Sequence, residues 1–241
     1  MKVLFSFIFT LLCQVSVFAQ WAIPTQLRAE NTLDRLSDKG GLSNSDILYG
    51  IPLPPGSVVG DVYFDKKWNS ATILLYQTET MIEGYPVKYD IKGDVLEIKS
   101  SAGIKVLDVR KVKNMVWIDS LTQKPHYFAN GAEFKVEGVP VNGLLEVLVD
   151  GKTPLMKRDQ IYVKDPTYNV AMGAGSRDTK IYHKFTYYYS KGSELIKVKG
   201  KKDVLAITNN TAAVEEYIKQ NKLNVSKESG LIKVFEYINT L

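Results

Sequence analysis

From Ser57 to about Val198 the chain repeats apolar and polar residues with a period of two, and turn-forming residues break the pattern at roughly eight- to twelve-residue intervals. In the clearest run, Tyr85, Val87, Tyr89 and Ile91 alternate with Pro86, Lys88, Asp90 and Lys92. A strand with that pattern buries one face and wets the other. Leu96 and Ile98 continue it beyond Gly93-Asp94, and Ile104–Val109 and Val112–Ile118 follow. Asn130-Gly131 and Asp150-Gly151 suit the two-residue hairpin turn that needs positive φ at both central positions. Leu144–Val149 and Leu155–Val163 are the arms around the second of these turns. The pattern predicts an α+β, mainly β fold built on a long antiparallel meander of roughly ten strands. A sheet of that length must curl, or close partly into a barrel, to hide its edges and its apolar face.

The period changes in the last forty residues or so. Asn210 and Thr211 are good caps, Val214, Tyr217 and Ile218 follow at helical spacing, and Asn221 is a natural stop. Ser226 can cap a final helix that carries Leu231, Val234, Phe235 and Ile238 on one stripe and Glu228 in its first turn. Two amphipathic C-terminal helices packed on the sheet complete the expected fold.

The first nineteen residues have the layout of a signal peptide. Lys2 precedes an apolar run from Val3 to Leu12, and Val17-Phe18-Ala19 places small residues before a cut at Gln20. The run is too short to span a membrane. Leu12 before Cys13 does not fit a lipidation site, so the one cysteine leaves with the leader. The mature chain then has no disulfide, no thiol nucleophile and no cysteine-bound metal. Residues 20–56 read as an irregular lead-in with a short helix over Thr25–Leu36, which Lys39-Gly40-Gly41 ends. Prolines hold Ile51–Gly56 extended. Residues 57–241 then form one β-rich domain with the helices at its end.

Composition excludes several functions. Hydrophobic residues make up 45% and charged residues 24%, as in an ordinary folded domain. The net charge is +5, one unit of which is Lys2, and this is too small for a nucleic-acid partner. Lys197–Lys202 is the one dense basic run and reads as a solvated strand end and loop. After the leader there is no second apolar run of transmembrane length. His126 and His183 are far apart with no acid at ligand spacing, which predicts structural or surface histidines and no metal. No nucleophile elbow, zinc-protease helix or phosphate loop is present, so no cofactor is expected. Gly173-Ala174-Gly175-Ser176 reads as a flexible connection into the next strand. Glu215-Glu216 are helix neighbours that do not face a common point.

The best candidate surface is Lys180–Ser190. Alternation puts Ile181, Phe185, Tyr187 and Tyr189 on one face and Lys180, Tyr182, Lys184 and Tyr188 on the other. Tyrosines beside lysines on a wet face can stack on a sugar ring or anchor a protein. Tyr182, Lys184 and Tyr188 are therefore the candidate binding residues. The competing expectation is that the C-terminal helices or the lead-in cover Tyr182 and Tyr188.

Gly84–Ile91 with Asp94–Lys99, then Asp165–Asn169, Ser176–Thr179 and the tail Phe235-Glu236-Tyr237-Ile238, resemble an uncharacterised family of exported β-rich proteins of Bacteroidota. The resemblance spans most of the mature chain and implies no catalytic residues. It also implies O-glycosylation at Asp-Ser/Thr followed by a small or apolar residue, a pattern that Asp119-Ser120-Leu121 matches with Ser120 as acceptor. With no immunoglobulin-like sorting domain at its end, the chain is expected in the periplasm, or held peripherally at the outer membrane, with secretion as the alternative. The function expected is a non-enzymatic cell-envelope protein that binds a protein or a glycan. A periplasmic hydrolase with dispersed acidic residues is the alternative. Intact mass of the native protein should show a chain that starts at Gln20 and carries no lipid. A diacylglyceryl mass on Cys13 would contradict this.

Overall fold

The computed structural model describes residues 56–77, 80–169 and 172–241. The leader and, apart from Gly56, the lead-in lie outside the described residues. The described chain opens with β1 (Val58–Val59), β2 (Asn69–Leu75), β3 (Met81–Asp90), β4 (Val95–Ser100) and β5 (Gly103–Asp108). It continues with β6 (Val112–Ile118), β7 (Pro125–Asn130), β8 (Lys135–Val136), β9 (Val139–Pro140), β10 (Leu144–Val149) and β11 (Leu155–Lys164). Next come β12 (Thr179–Lys191) and β13 (Glu194–Val198), then helices α1 (Lys201–Leu205), α2 (Thr211–Gln220) and α3 (Glu228–Ile238). The expected class is therefore found: a mainly β, mostly antiparallel sheet that is not closed, with helices at the C-terminal end.

The thirteen strands form one sheet in the order β5-β4-β3-β2-β6-β7-β10-β11-β12-β13-β8-β9, with β1 pairing parallel to β12. The meander is broken where β6 returns beside β2, and again where β8 and β9 leave the path between β7 and β10 to pair beyond β13. Strands β5 and β6 are four steps apart in this order, yet only Val109–Lys111 joins them. In a flat sheet four steps of about 4.8 Å would separate them by about 19 Å. Three residues of 3₁₀ helix rise only about 6 Å. The sheet therefore curls back on itself at this end, and Ile73, Val87, Leu96, Met115, Trp117 and Phe128 fill the curl. Asn130 secures the crossing, because its buried side-chain amide donates to the carbonyls of Val109 (3.0 Å) and Val112 (2.5 Å).

That role removes Asn130-Gly131 from the turn expected there. Asn130 has φ −70° and starts a short 3₁₀ turn, with its side-chain oxygen accepting from the Ala132 N–H. Asp150-Gly151 also differs from expectation. Strands β10 and β11 are joined by the longer loop 150–154, which Asn239 at the end of α3 clips: its Oδ1 accepts from Thr153 N–H (2.8 Å) and its Nδ2 donates to Thr153 O (3.1 Å). A two-residue turn with positive φ at both positions occurs instead at Glu137 (52°) and Gly138 (80°), between β8 and β9.

The helices pack as their stripes require. Val214 and Ile218 of α2, with Leu231, Val234, Phe235 and Ile238 of α3, are buried against Val149, Leu155 and Val198 of the sheet. Tyr217 stacks on Tyr237, with ring centroids 4.1 Å apart. Three details differ from the expected ends. Lys227, not Ser226, is the N-cap of α3, and neither it nor Asn210 makes a side-chain cap bond. The Lys-rich run Lys197–Lys202, expected as a strand end and loop, ends in the first two residues of helix α1, whose Val204 is fully buried. The expected ten or so strands become thirteen because β1, β8 and β9 are two-residue strands with no readable period.

Phe235 is completely buried. Truncation of such a ring usually costs about 3–5 kcal/mol, within a typical domain stability of about 5–15 kcal/mol. Phe235→Ala should thus lower the melting temperature of the sheet and helices in a single transition. An unchanged melting curve would contradict the packing.

Candidate functional site

Strands β11 and β12 form the longest hairpin, and it has two chemically different faces. Their register pairs Gln160 with Lys184, Tyr162 with Tyr182, and Lys164 with Lys180 on the outer face. Between these rows, Asp159 pairs with Phe185, Ile161 with His183 and Val163 with Ile181 on the inner face. The hairpin continues past its regular part, where Thr167 N–H donates to Ser176 O and Asn169 N–H to Ala174 O, each at 2.8 Å. The segment Gly173–Ser176 is thus the returning arm of a hairpin. Gly175 is needed there: it has φ 103°, and a Cβ would lie 2.4 Å from Thr167 O.

On the outer face Tyr162 and Tyr182 are 60% and 45% exposed. Directly opposed side chains have Cβ atoms about 4.5–5.5 Å apart, so the two tyrosines are neighbours on this face. Lys164 and Lys184 are exposed, and Lys180 is half-buried. No acid stands in these three rows. The nearby Asp178 carboxylate accepts from the Ser57 N–H at 2.9 Å.

Tyr188 does not join this surface. It is 6% exposed and packs with Val141, Leu145, Met156 and Leu195 beneath Phe134 and Val136. The cover is the β8–β9 segment, not the helices. The structure thus keeps Tyr182 and Lys184 together in the open and removes Tyr188, while Tyr162 and Lys164 supply the other half of the platform. Ser120 is exposed in the β6–β7 turn, where Asp119 Oδ1 accepts from Leu121 N–H (2.7 Å) and Thr122 N–H (3.0 Å).

The inner face carries a polar seam between two apolar clusters. Along β10 it runs Leu144, Glu146, Leu148, and along β11 it runs Leu155, Lys157, Asp159, Ile161. Glu146 and Lys157 are cross-strand partners. His126 Nδ1 lies 2.5 Å from Glu146 Oε1, and Lys157 Nζ lies 2.8 Å from Glu146 Oε2 and 3.0 Å from Glu228 Oε2 of α3. Tyr187 OH donates to the same Glu228 oxygen at 3.0 Å. Beside this chain, His183 Nδ1 lies 2.8 Å from Asp159 Oδ2. Both histidines therefore have buried acid partners, which sequence spacing did not reveal. Glu146 was visible as the one charge in Leu144–Val149, on the same face as Leu144 and Leu148. Among the described residues, no group of three or more acids, histidines or cysteines is arranged to hold a metal ion. No helix among them is long and apolar enough to cross a membrane.

Burial alone would push the Glu146 carboxyl up, but His126 and Lys157 outweigh it and the net shift is downward. The hydrogen bond to Glu146 raises His126, against the opposing effect of burial. Burial raises Asp159, and His183 offsets this only in part. Burial and then Glu228 push Tyr187 up to about 12.

Comparison with known protein families, curated proteins and solved structures finds no match.

The pKa shifts fix the sign of a pH dependence. His126 is raised from 6.5, so its contribution is complete below 6.5 and is lost as pH rises through the raised value. Glu146 is lowered from 4.5, so its contribution is complete above 4.5 and is lost as pH falls through the lowered value. The stability gap between wild type and His126→Gln should be widest between these limits and narrow on the alkaline side. A pH-independent gap in melting temperature would contradict the ion pair.

Proposed function

We propose that this chain is an exported, non-enzymatic cell-envelope protein that holds an acidic glycan on the outer face of the β11–β12 hairpin. What carries the reading is the open pairing of Tyr162 with Tyr182 between rows of lysines. Successive rows on one strand face are about 6.7 Å apart, so Lys184 and the Lys164–Lys180 pair stand about 13 Å from each other along the strip. A sugar ring offers an apolar face for the tyrosines, and anionic groups further along the polymer meet the amines.

The narrowness of the strip supports a glycan over a protein partner. A stable protein interface needs about 800 Å² from each side. The platform is three rows by two strands, and its neighbour Tyr188 lies under the β8–β9 segment. An extended polymer suits so narrow a surface. The leader-like first nineteen residues support export, with the periplasm or the outer-membrane surface as the place of action.

The test is binding of the mature chain to polygalacturonate, with dextran as the uncharged control. The acidic polymer should bind, dextran should not, and added salt should weaken binding. Replacement of both rings, Tyr162→Ala with Tyr182→Ala, should reduce affinity about tenfold or more, equivalent to about 1.4 kcal/mol. Equal binding of the two polymers, or a double variant that binds like wild type, would overturn the reading.

A further inference from the structure

The two ends of the sheet are finished differently. At one end β9 is a two-residue strand that carries Pro140, a length and a residue that stop further pairing. At the other end β5 runs for six residues, Gly103–Asp108, with no proline and no bulge against β4. No described residue pairs with its outer edge. Ile104 and Val106, across from Lys99 and Glu97 of β4, are 59% and 65% exposed. The ladder fixes which backbone groups that edge offers. Val109 N–H donates to Asp94 O at 3.1 Å, so bonding toward β4 alternates through Leu107 and Lys105. The N–H and C=O groups of Ile104, Val106 and Asp108 therefore point away from β4, to the open edge. A regular, apolar edge of this kind is a template for another strand.

We propose that β5 pairs with β5 of a second copy of this chain, antiparallel, about a two-fold axis at Val106. The register follows from the edge itself. With Val106 opposite the second copy's Val106, Ile104 meets Asp108 and Asp108 meets Ile104, so the outward groups are all bonded, about six hydrogen bonds in total. On the exposed face Val106 packs on its own mate, and Ile104 lies diagonal to it. Lys105 is the one protective charge on this strand. In this register it lies opposite the second copy's Leu107, which its aliphatic stem can cover. Centring the pairing on Lys105 would set two ammonium groups face to face, and centring it on Ile104 would leave Asp108 without a mate. The Asp108 carboxylate already holds Arg110, so no unpaired acid enters the contact. The edge is thus complementary to itself. Strand pairing of this length covers less than the about 800 Å² a side of a standard interface, so the dimer is weak and forms at high concentration.

Sedimentation equilibrium of the full mature chain from about 1 μM to about 1 mM tests this, with amide hydrogen exchange at the two ends of that range. Wild type should pass from monomer toward dimer, and the Ile104, Val106 and Asp108 amides should exchange several-fold more slowly at the high concentration. Val106→Pro removes the N–H at the axis and no bond of the ladder to β4, so it should fold and weaken association about tenfold or more. Val106→Lys sets two ammonium groups opposite each other at the axis, and should weaken association at low salt with partial recovery at high salt. Val139→Lys, an exposed position on the blunted edge, should associate like wild type. A chain that stays monomeric up to about 1 mM would overturn the proposal. So would a dimer of wild-type strength in a folded Val106→Pro or, if that variant does not fold, in Val106→Lys. A dimer that forms without slowing those three amides would overturn it as well.

Discussion

The buried carboxylate of Glu146 is the joint on which this structure turns. It lies on the core side of a central strand, between an apolar cluster that fills the curled end of the sheet and another beneath the helices. Alone it would be a charge removed from water with nothing to balance it. His126 from β7 and Lys157 from β11 supply that balance, and Lys157 extends the chain to Glu228 of α3. Loss of one member of such a buried set typically costs about 3–5 kcal/mol, because the remaining charge is stranded. A hydrophobic pair could serve stability equally well at this position. What the ionic set adds is a fixed register between β10 and β11, and with it the placement of everything further along the hairpin.

That placement separates two chemistries by a single residue of strand. Even-numbered positions 160, 162 and 164 face outward with the lysines and tyrosines, while Asp159 and Ile161 face inward. A one-residue slip would exchange the faces, burying lysines and exposing the seam. The Glu146–Lys157 pair opposes such a slip, and so does Tyr188 locked beneath the β8–β9 segment. The residue that failed as a binding candidate thus helps hold the platform that its neighbours form.

Much of this fold is legible in the chain itself. Period two marks Val87, Tyr89, Leu96 and Ile98 as core, and helical spacing marks Leu231, Val234, Phe235 and Ile238. The turn at Asp119–Leu121 is legible too, because Asp119 closes it with local hydrogen bonds. Other features depend on distant partners. Asn130 looks like a turn residue until the β5–β6 crossing claims its amide. The Asp150-Gly151 turn gives way to a loop because Asn239, far along the chain, holds Thr153. The exposed half of the site, Tyr182 with Lys184, could be read locally. The other half, Tyr162 with Lys164, follows only from register. The acid partners of the two histidines are products of strand pairing, and no local spacing encodes them.

The central claim is that one ionic set joins the sheet to the C-terminal helix and fixes the hairpin. Amide hydrogen exchange of Lys157→Met against wild type tests it most directly. Met keeps the length of the side chain and removes the charge that Glu146 and Glu228 share. If the account holds, protection falls together in β10, β11 and α3, while the curled end around β3 and β4 keeps its wild-type exchange. A change confined to the immediate strand neighbours, with α3 as protected as before, would contradict it.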